Sequence, residues 1–541
     1  MIPLLAMILA ALVTALLIRP LSRHASRLGL MDYPDGNRRI NTRAVPRIGG
    51  IAIVASSIGT AIAMGPTNRP FAAYLIAVVV LLVFGVLDDR RGLSARTKFI
   101  GQIIAALIVI FGGGITVTNA PFLGLNELPP MLGAALTLLA LLAITNAVNL
   151  SDGLDGLAGG MMFLTLCVIG LLAYEARHPG LVVGASIVAG ATLGFLRYNS
   201  YPAWIFMGDT GSQFLGFSAG VFTIVLTQDV NPALSPALPF LLLGLPVFDT
   251  VLVMFYRWRN ERPLFVADNN HTHHRLLSLG FFHYEAVLII YLAQALLVSV
   301  AFLLRYESDW VVAGAYIVFF CGAAVTLRQL SRSEWTRGEP GVLSRLLAEV
   351  EKFRESKAHA RWPQVLMAST VVVLFAIGGY CFSTTRDDAL IATVLALGIA
   401  VFGLGKNDAM TLLERGTLFA TAAFFAFKIT GSHQPPVLDR VLDVLVVMIV
   451  GAFVLSVRYA GRETVFKMSP LDFLVVFIVI TVAALGKLGV IDPTLGNTLA
   501  FVIIPCYAIE FGSTEKSSAR IIRIGTIAAL AIAAIKGVGV A

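Results

Sequence analysis

The chain is poor in charged residues and in cysteine. Asp, Glu, Lys and Arg make up 13% of its 541 residues, whereas soluble proteins average about 25%. Hydrophobic residues make up 57%, which excludes a disordered chain and a water-soluble globule, because neither could keep so much apolar surface from water. The four cysteines are scattered, without CxxC or Cys/His spacing, so neither a disulfide framework nor a zinc site is indicated.

Long apolar runs fill most of the sequence. Their lengths, about 20 residues each, predict about eleven membrane spans in residues 1–330, one of them over 236–256, and about seven in 364–541, one of them over 470–486. The expected fold class is therefore all-α, a polytopic transmembrane helical bundle. Residues 331–363 form the expected cytoplasmic linker, in which Leu343–Phe353 has the periodicity of an interfacial helix. No motif indicates a role for the C-terminal multi-span part.

Positive charge is concentrated in alternate loops. The net charge is +8, and loops 19–46, 88–98 and 257–282 are rich in Lys and Arg, whereas 119–129 and 229–235 have none. By the positive-inside rule, the basic loops are cytoplasmic and the N-terminus is expected outside. The excess positive charge also suits anionic partners such as lipid phosphates and nucleotides.

The first polar cluster lies at the end of an expected span on the cytoplasmic side. Asp88 and Asp89 are adjacent, and Lys98 follows. Two neighbouring carboxylates repel each other, so the pair is more useful beside a cation, or as one base and one ligand, than as a structural element. A solvated loop balanced by neighbouring arginines is the alternative.

The second cluster places Asn149, Asp152 and Asp155 at three-residue spacing, which would put them on one face of a helix end. Gly153 and its neighbouring glycines would allow close approach of a phosphate to the backbone. Carboxylate oxygens suit Mg²⁺, which takes few protein ligands and binds together with substrate phosphates. A polar turn between spans is the alternative.

The third cluster covers residues 199–212. Asp209 lies between a glycine and hydroxyl residues, the form of a metal ligand or a phosphate-contacting turn. A cap for the next span, with Asp209 or Thr210 accepting the first amide hydrogens, is the alternative, and both could hold at once.

The fourth cluster contains His271, His273 and His274, three of the eight histidines, directly before Arg275. We expect these side chains to hydrogen-bond to phosphate or sugar. Asp249, within the preceding apolar run, is a functional candidate because carboxylates are costly inside a membrane. The alternative is a structural partner for Arg257 or for a polar neighbour.

Together these motifs resemble those of the polyprenyl-phosphate N-acetylhexosamine-1-phosphate transferases, a family in the same superfamily as the phospho-MurNAc-pentapeptide translocase. The resemblance covers residues 1–330. It is carried, in the family's order, by Asp88-Asp89 with Lys98 and by the runs NAVNLSDGLDGLAGG, NSYPAWIFMGDTGS and HTHHRL. The HxHHR pattern resembles the hexosamine branch more than the pentapeptide branch.

The resemblance implies a reaction at the cytoplasmic face of a bacterial inner membrane. N-acetylhexosamine-1-phosphate, GlcNAc-1-phosphate first of all, would pass from a UDP-N-acetylhexosamine to undecaprenyl phosphate, and UMP would leave. The lipid-diphosphate sugar would initiate a cell-envelope polysaccharide. Mg²⁺ is the implied cofactor, with Mn²⁺ as a substitute. Besides the two substrates and the lipid bilayer, the resemblance allows a homodimer and implies no nucleic acid.

The resemblance also implies the site residues. The catalytic residues would be Asp88, Asp89, Asp152 and Asp155, and the metal ligands Asp209 and Asp152. The substrate-binding residues would be Lys98, Asn149, Gly153, Leu154, Phe206, Arg262, His271, His273, His274 and Arg275.

Two other functions are open at this point. One is a translocase that uses UDP-MurNAc-pentapeptide, and the other is a transporter that uses its carboxylates as coupling sites, alone or as a C-terminal module fused to the enzyme. Transporter sites lie near the bilayer midplane in interrupted helices. The acidic motifs here lie at span ends on one side, which favours an interfacial enzyme.

Overall fold

The structure is a computed structural model, which describes residues 2–33, 44–121, 124–261, 271–332, 362–405, 408–431, 435–459, 486, 493–513 and 515–538. These residues are mainly helical, which confirms the all-α class. A two-stranded antiparallel ribbon pairs β1 (Met31–Asp32) with β2 (Val45–Pro46). The chain divides into two compact units, whose described residues are 2–332 and 362–538.

The described part of the first unit contains thirteen helices. They are α1 (Ile2–Leu28), α2 (Gly49–Met64), α3 (Arg69–Arg91), α4 (Ala95–Leu107), α5 (Pro130–Ser151), α6 (Leu157–Glu175), α7 (Pro179–Asn199), α8 (Gly208–Val225), α9 (Pro239–Leu242), α10 (Gly244–Arg259), α11 (Thr272–Ser278), α12 (His283–Leu303) and α13 (Asp309–Arg332). One π-helical turn continues α4 and another continues α8. Helix α8 is the centre of the unit, with 94% of its most apolar segment buried.

The described part of the second unit contains six helices. They are α14 (Trp362–Cys381), α15 (Arg386–Gly403), α16 (Asp408–Thr430), α17 (Pro436–Tyr459), α18 (Pro493–Gly512) and α19 (Lys516–Val538). Ion pairs join these helices, for example Glu414 to Arg523 at 2.5 Å and Arg415 to Glu510 at 2.8 Å. Pairing offsets part of the cost of charges within apolar helices.

Eleven of the described helices are long and apolar enough to cross a membrane, which confirms a polytopic membrane protein. The predicted apolar runs fall on described helices, with two exceptions. The predicted span 470–486 lies almost wholly outside the described residues. The run 236–256 was predicted as one span, and the structure breaks it into α9 and α10. The interfacial helix predicted within 331–363 also lies outside the described residues, and the domain boundaries stay predictions.

The break between α9 and α10 has a covalent cause. Pro246 has no N–H to donate to the Leu242 carbonyl four residues earlier, so the α-helical ladder fails there. The Leu242 oxygen instead accepts hydrogen bonds from Thr165 Oγ1 and Gln294 Nε2, both at 3.0 Å. Side chains of neighbouring helices thus satisfy the carbonyl that the break leaves open, which is how membrane helices tolerate proline.

A tight turn places the two parts of the first polar cluster, Asp88-Asp89 and Lys98, at the same end of the bundle. Helix α3 ends at Gly92, and Ser94 accepts a hydrogen bond from the Thr97 amide at 3.3 Å to begin α4. The last turn of α3 and the first turn of α4 are therefore neighbours. Helices α5, α7 and α10 end, and α2, α6, α8 and α12 begin, in the other segments that contribute to the site.

Candidate active site

Residues from three separate motifs meet around one lysine. Lys98 Nζ lies 2.5 Å from Asp88 Oδ2 and 2.5 Å from Asp209 Oδ2. Asn149 Nδ2 donates to the other Asp209 oxygen at 3.1 Å. Asp88 is 5% exposed, and its second oxygen accepts a hydrogen bond from the Leu93 amide at 2.7 Å. The structure therefore brings Asp88, Lys98, Asn149 and Asp209 into one polar cluster, as the sequence predicts.

Asp89 anchors the start of α8 to the end of α3. Its Oδ1 accepts from the Asp209 amide at 2.8 Å, and its Oδ2 accepts from the Thr210 amide at 3.1 Å and the Thr210 hydroxyl at 2.6 Å. Gly208 has φ 69°, and a Cβ there would lie 2.6 Å from Asp89 Oδ1. The cap that we expected from Asp209 or Thr210 thus comes from Asp89, because a carboxylate stabilises the positive end of a helix.

The second motif does not form the single helix face that its spacing predicts. Helix α5 ends at Ser151, so Asn149 is helical while Asp152 and Asp155 lie in the following loop. Asp155 is 9% exposed, its Oδ2 accepts from the Ala203 amide at 2.9 Å, and its own amide donates to His283 Nε2 at 3.1 Å. Asp155 is therefore placed as an anchor between two loops, and its catalytic role stays a prediction.

Asp152 faces the other carboxylates of the site. Burial, followed by the charges of Asp209, Asp89 and Asp155, raises the pKa of Asp152 to about 7, and Arg47 opposes this rise. Repulsion among carboxylates is relieved by a cation. Arg47, which is paired with Asp32 at the end of the β-ribbon, was not among the predicted residues. The sequence signal that indicates Arg47 is its position directly before the apolar run that begins at Gly49.

The histidine motif is held by Asp249. Asp249 Oδ2 lies 2.7 Å from His271 Nδ1, and its Oδ1 accepts from the Thr272 amide at 2.6 Å. The partner of Asp249 in this contact is thus a histidine, a polar neighbour of the kind considered from the sequence. The guanidinium of Arg275 lies 4.1 Å above the ring of Tyr256. Arg262, predicted to bind substrate, lies outside the described residues.

His273 connects the histidine motif with the loop after α5. A Cβ built on Gly153 would overlap the His273 ring at Nε2, so the two residues are in direct contact. His273 is 3% exposed, and burial, then the neighbouring His274, lowers its pKa to about 3. His273 is therefore neutral at pH 7 and offers one ring N–H as a hydrogen-bond donor.

Two further residues predicted to bind substrate, Leu154 and Phe206, lie in the adjoining loops. Leu154 is 5% exposed, and Phe206 is half-buried. The Phe206 amide donates to the Pro46 carbonyl at 2.8 Å, and its carbonyl accepts from the Gly49 amide at 2.9 Å. The segment before α8 is thereby tied to the β-ribbon and to the start of α2.

Known proteins resemble more than half of this chain. Residues 71–227 match the model of Glycosyl transferase family 4. The chain is 35% identical over 314 residues to a probable undecaprenyl-phosphate N-acetylglucosaminyl 1-phosphate transferase of Bacillus subtilis (strain 168), covering 58% of this chain and 87% of that protein. It is 34% identical over 361 residues to the decaprenyl-phosphate N-acetylglucosaminephosphotransferase of Mycobacterium tuberculosis (strain ATCC 25618 / H37Rv), covering 60% and 88%.

The chain belongs to the polyprenyl-phosphate N-acetylhexosamine-1-phosphate transferases. A further relative, the undecaprenyl-phosphate alpha-N-acetylglucosaminyl 1-phosphate transferase of Escherichia coli (strain K12), is 29% identical over 309 residues, covering 55% of this chain and 83% of that protein. The family membership accounts for the clustering of the four motifs at one end of the helices.

The transferase site has the donors of a magnesium site without a ready-made cage. Among the described residues, no three His, Cys, Asp or Glu side chains are arranged to hold a metal on their own. Mg²⁺ usually takes one or two carboxylates and completes its shell with water and substrate phosphates. The Lys98 ammonium group lies 2.5 Å from both Asp88 and Asp209. These two carboxylates are therefore close enough together to bind one positive charge between them. The donor chemistry therefore fits Mg²⁺.

Replacing Gly153 by Ala is expected to lower kcat/KM for sugar-1-phosphate transfer by at least about tenfold. The added Cβ overlaps His273, and displacing a positioned group by about 1 Å can cost about 10²-fold in rate. The measurement is UMP release in purified protein. Gly170→Ala is the matched control, because its Cβ would make an ordinary contact at 3.7 Å with Ala185. Equal activity of the two variants would contradict the contact between the loop and His273.

Proposed function

We propose that this transferase moves GlcNAc-1-phosphate from UDP-GlcNAc to undecaprenyl phosphate at the cytoplasmic face of a bacterial inner membrane. The observation that carries the proposal is that Asp88, Lys98 and Asp209 lie in direct contact. In the same chain, Gly153 contacts His273 of the histidine motif. The relatives named above, which use undecaprenyl or decaprenyl phosphate by their names, support it. The alternation of basic and uncharged loops along the sequence supports a cytoplasmic face, with the N-terminus outside.

The reaction requires two anions to approach each other. An oxygen of the lipid phosphate attacks the β-phosphorus of the UDP-sugar, the bond to the bridging oxygen breaks, and UMP leaves with that oxygen. Catalysis of such a transfer depends on positioning and on electrostatic stabilisation. Asp209 and Asp152 would hold Mg²⁺, which neutralises the charge of the diphosphate.

The remaining side chains orient the substrates. Lys98 supplies a fixed positive charge next to Asp209. His273, neutral at pH 7, donates a hydrogen bond to a phosphate or sugar oxygen, and His271 is oriented for the same purpose by Asp249. Asp88 accepts the proton of the lipid phosphate when that phosphate carries one.

A sugar-nucleotide panel tests the proposed function. Purified protein is incubated with UDP-GlcNAc, UDP-GalNAc or UDP-MurNAc-pentapeptide, and UMP release is measured with and without undecaprenyl phosphate and Mg²⁺. We expect release from UDP-GlcNAc only when both are present. Release from the pentapeptide donor alone would support the translocase. Solute uptake without any UMP formation would support the transporter.

Mg²⁺ affinity is expected to fall in acid because of Asp152. A carboxyl group with a pKa of about 7 is mostly protonated at pH 6 and mostly ionised at pH 8, and a protonated carboxyl group must lose its proton to bind metal. The apparent Kd for Mn²⁺, used as a probe of the magnesium site, should be about tenfold higher at pH 6 than at pH 8. Titration followed by electron paramagnetic resonance measures it.

Asp152→Asn provides the control for this titration. The variant has no titrating group at this position, so its weaker Mn²⁺ binding should change less between pH 6 and pH 8 than that of the unsubstituted protein. A pH dependence equal to that of the unsubstituted protein would contradict the assignment to Asp152.

A further inference from the structure

Three amide side chains, which we call the amide triad, lie one helical turn inside the charged cluster; two of them are buried, and Asn146 is half-buried. They are Gln102 on α4, Asn146 on α5 and Gln213 on α8. Gln102 follows Lys98 by four residues, Asn146 precedes Asn149 by three, and Gln213 follows Asp209 by four. Residues at these spacings share a helix face. Each amide therefore lies below one of the three cluster residues.

The amide triad is joined by its own hydrogen bonds. Asn146 Nδ2 donates to Gln102 Oε1 at 2.7 Å, and Gln102 Nε2 donates to Asn146 Oδ1 at 3.4 Å and to Gln213 Oε1 at 3.2 Å. Asn146 Nδ2 also donates to the Leu142 carbonyl at 2.8 Å. Helices α4, α5 and α8 are thus linked twice, by the contacts of Lys98 and Asn149 with Asp209 and by the amide triad one turn below.

Because Gln102 and Gln213 are buried, the amide triad tolerates little change in its hydrogen-bond geometry. Gln102 is 2% exposed and Gln213 is 3% exposed, so a shift that separates them would leave polar groups without partners, at a free-energy cost. Apolar contacts between helices are non-directional and tolerate small rotations and slips, whereas paired amides fix one register, as a buried Asn does in coiled coils.

We propose that the amide triad sets the rotation and axial position of α4, α5 and α8, and so positions Lys98, Asn149 and Asp209 for the transfer reaction. These amides are positioning residues, because they contact the cluster helices and not the reacting atoms. Their neutral character matters, since another charge beside Asp88 and Asp209 would change the field of the cluster. This proposal rests on the proposed function. Its test must therefore distinguish a failure of the amide triad proposal from a failure of the proposed function.

The test removes the hydrogen bonds while keeping side-chain length. Gln102→Met and Gln213→Met each lose the amide, and Gln294→Met is the matched control, because Gln294 is fully buried and donates to Thr165 Oγ1 at 2.9 Å and the Leu242 carbonyl at 3.0 Å. UMP release and thermal unfolding are measured for each variant. We expect kcat to fall about tenfold for Gln102→Met and Gln213→Met with KM for UDP-GlcNAc changed less than about twofold, whereas Gln294→Met keeps its kcat.

The double variant, which combines Gln102→Met with Gln213→Met, shows whether the two amides affect kcat together or independently. Gln102 and Gln213 share one hydrogen bond, so the combined loss in kcat should be well below the product of the two single losses. The proposal is overturned if both single variants match Gln294→Met in kcat, or if the two losses multiply. An unsubstituted protein that releases no UMP would refute the proposed function instead. In that case, Mn²⁺ affinity of the same variants tests the amide triad, with weaker binding expected only for Gln102→Met and Gln213→Met.

Discussion

Replacing Asp209 by Asn is expected to lower kcat for UMP release by about 10³-fold or more. The substitution keeps the shape of the side chain and removes its charge. It therefore weakens the contact with Lys98 at 2.5 Å and the proposed metal site together. A loss of about 4 kcal/mol of transition-state stabilisation corresponds to about 10³-fold in rate. The amount of folded protein, measured by size-exclusion chromatography, should stay the same, because the backbone amide of residue 209 still donates to Asp89.

Asp229→Asn is the matched control. Asp229 belongs to the same membrane span, Gly208–Val230, and lies at its opposite end. Its side chain is exposed, and we expect its substitution to change kcat less than about twofold. An Asp209→Asn protein as active as the Asp229→Asn protein would refute the role of Asp209.

Replacing Lys98 by Met is expected to lower kcat/KM by about 10²-fold and to lower the Mg²⁺ concentration needed for half-maximal rate, because uncompensated carboxylates attract the cation more strongly. Without the ammonium group, Asp88 and Asp209 lose the positive charge between them, and removal of one partner from a buried ion pair leaves an uncompensated charge. Lys98 is 29% exposed, so water reduces this cost. Lys98→Arg keeps the charge with a different geometry and should be intermediate.

Arg96→Met controls for the loss of positive charge on α4. Arg96 is exposed and, two residues from Lys98, points to another side of the helix. Its substitution should leave kcat/KM within about twofold. A Lys98→Met protein with normal activity and a normal Mg²⁺ requirement would contradict the bridging role of Lys98.

The sequence allowed the composition of the cluster to be predicted, because local signals were strong. Carboxylates next to apolar runs are costly unless they are used, and charge in alternate loops placed all four motifs on one side. These two arguments predict one membrane face for the motifs, and the family resemblance implies that Asp88, Lys98 and Asp209 belong to one site, although 111 residues separate Lys98 from Asp209.

Other features depended on tertiary contacts that no local pattern reports. No local pattern indicates that Gln102 and Gln213 pair, because their hydrogen bond depends on the mutual rotation of two helices. Asp155 was expected beside Asn149 on a helix, but α5 ends at Ser151 and the chain turns. The interruption after Leu242 was hidden because the run stays apolar across it, although Pro246 marked the site of a lost hydrogen bond.

Metal-directed cleavage tests the central claim most directly, namely that distant acidic segments surround one divalent ion. Fe²⁺ bound in place of Mg²⁺, with ascorbate and peroxide, produces radicals that cut the backbone close to the ion. We predict fragments that end near Asp88, near Asp152 and near Asp209, all suppressed by excess Mg²⁺ and absent from the Asp209→Asn protein. Cleavage near one of these positions alone, or cleavage that excess Mg²⁺ does not suppress, would contradict the account.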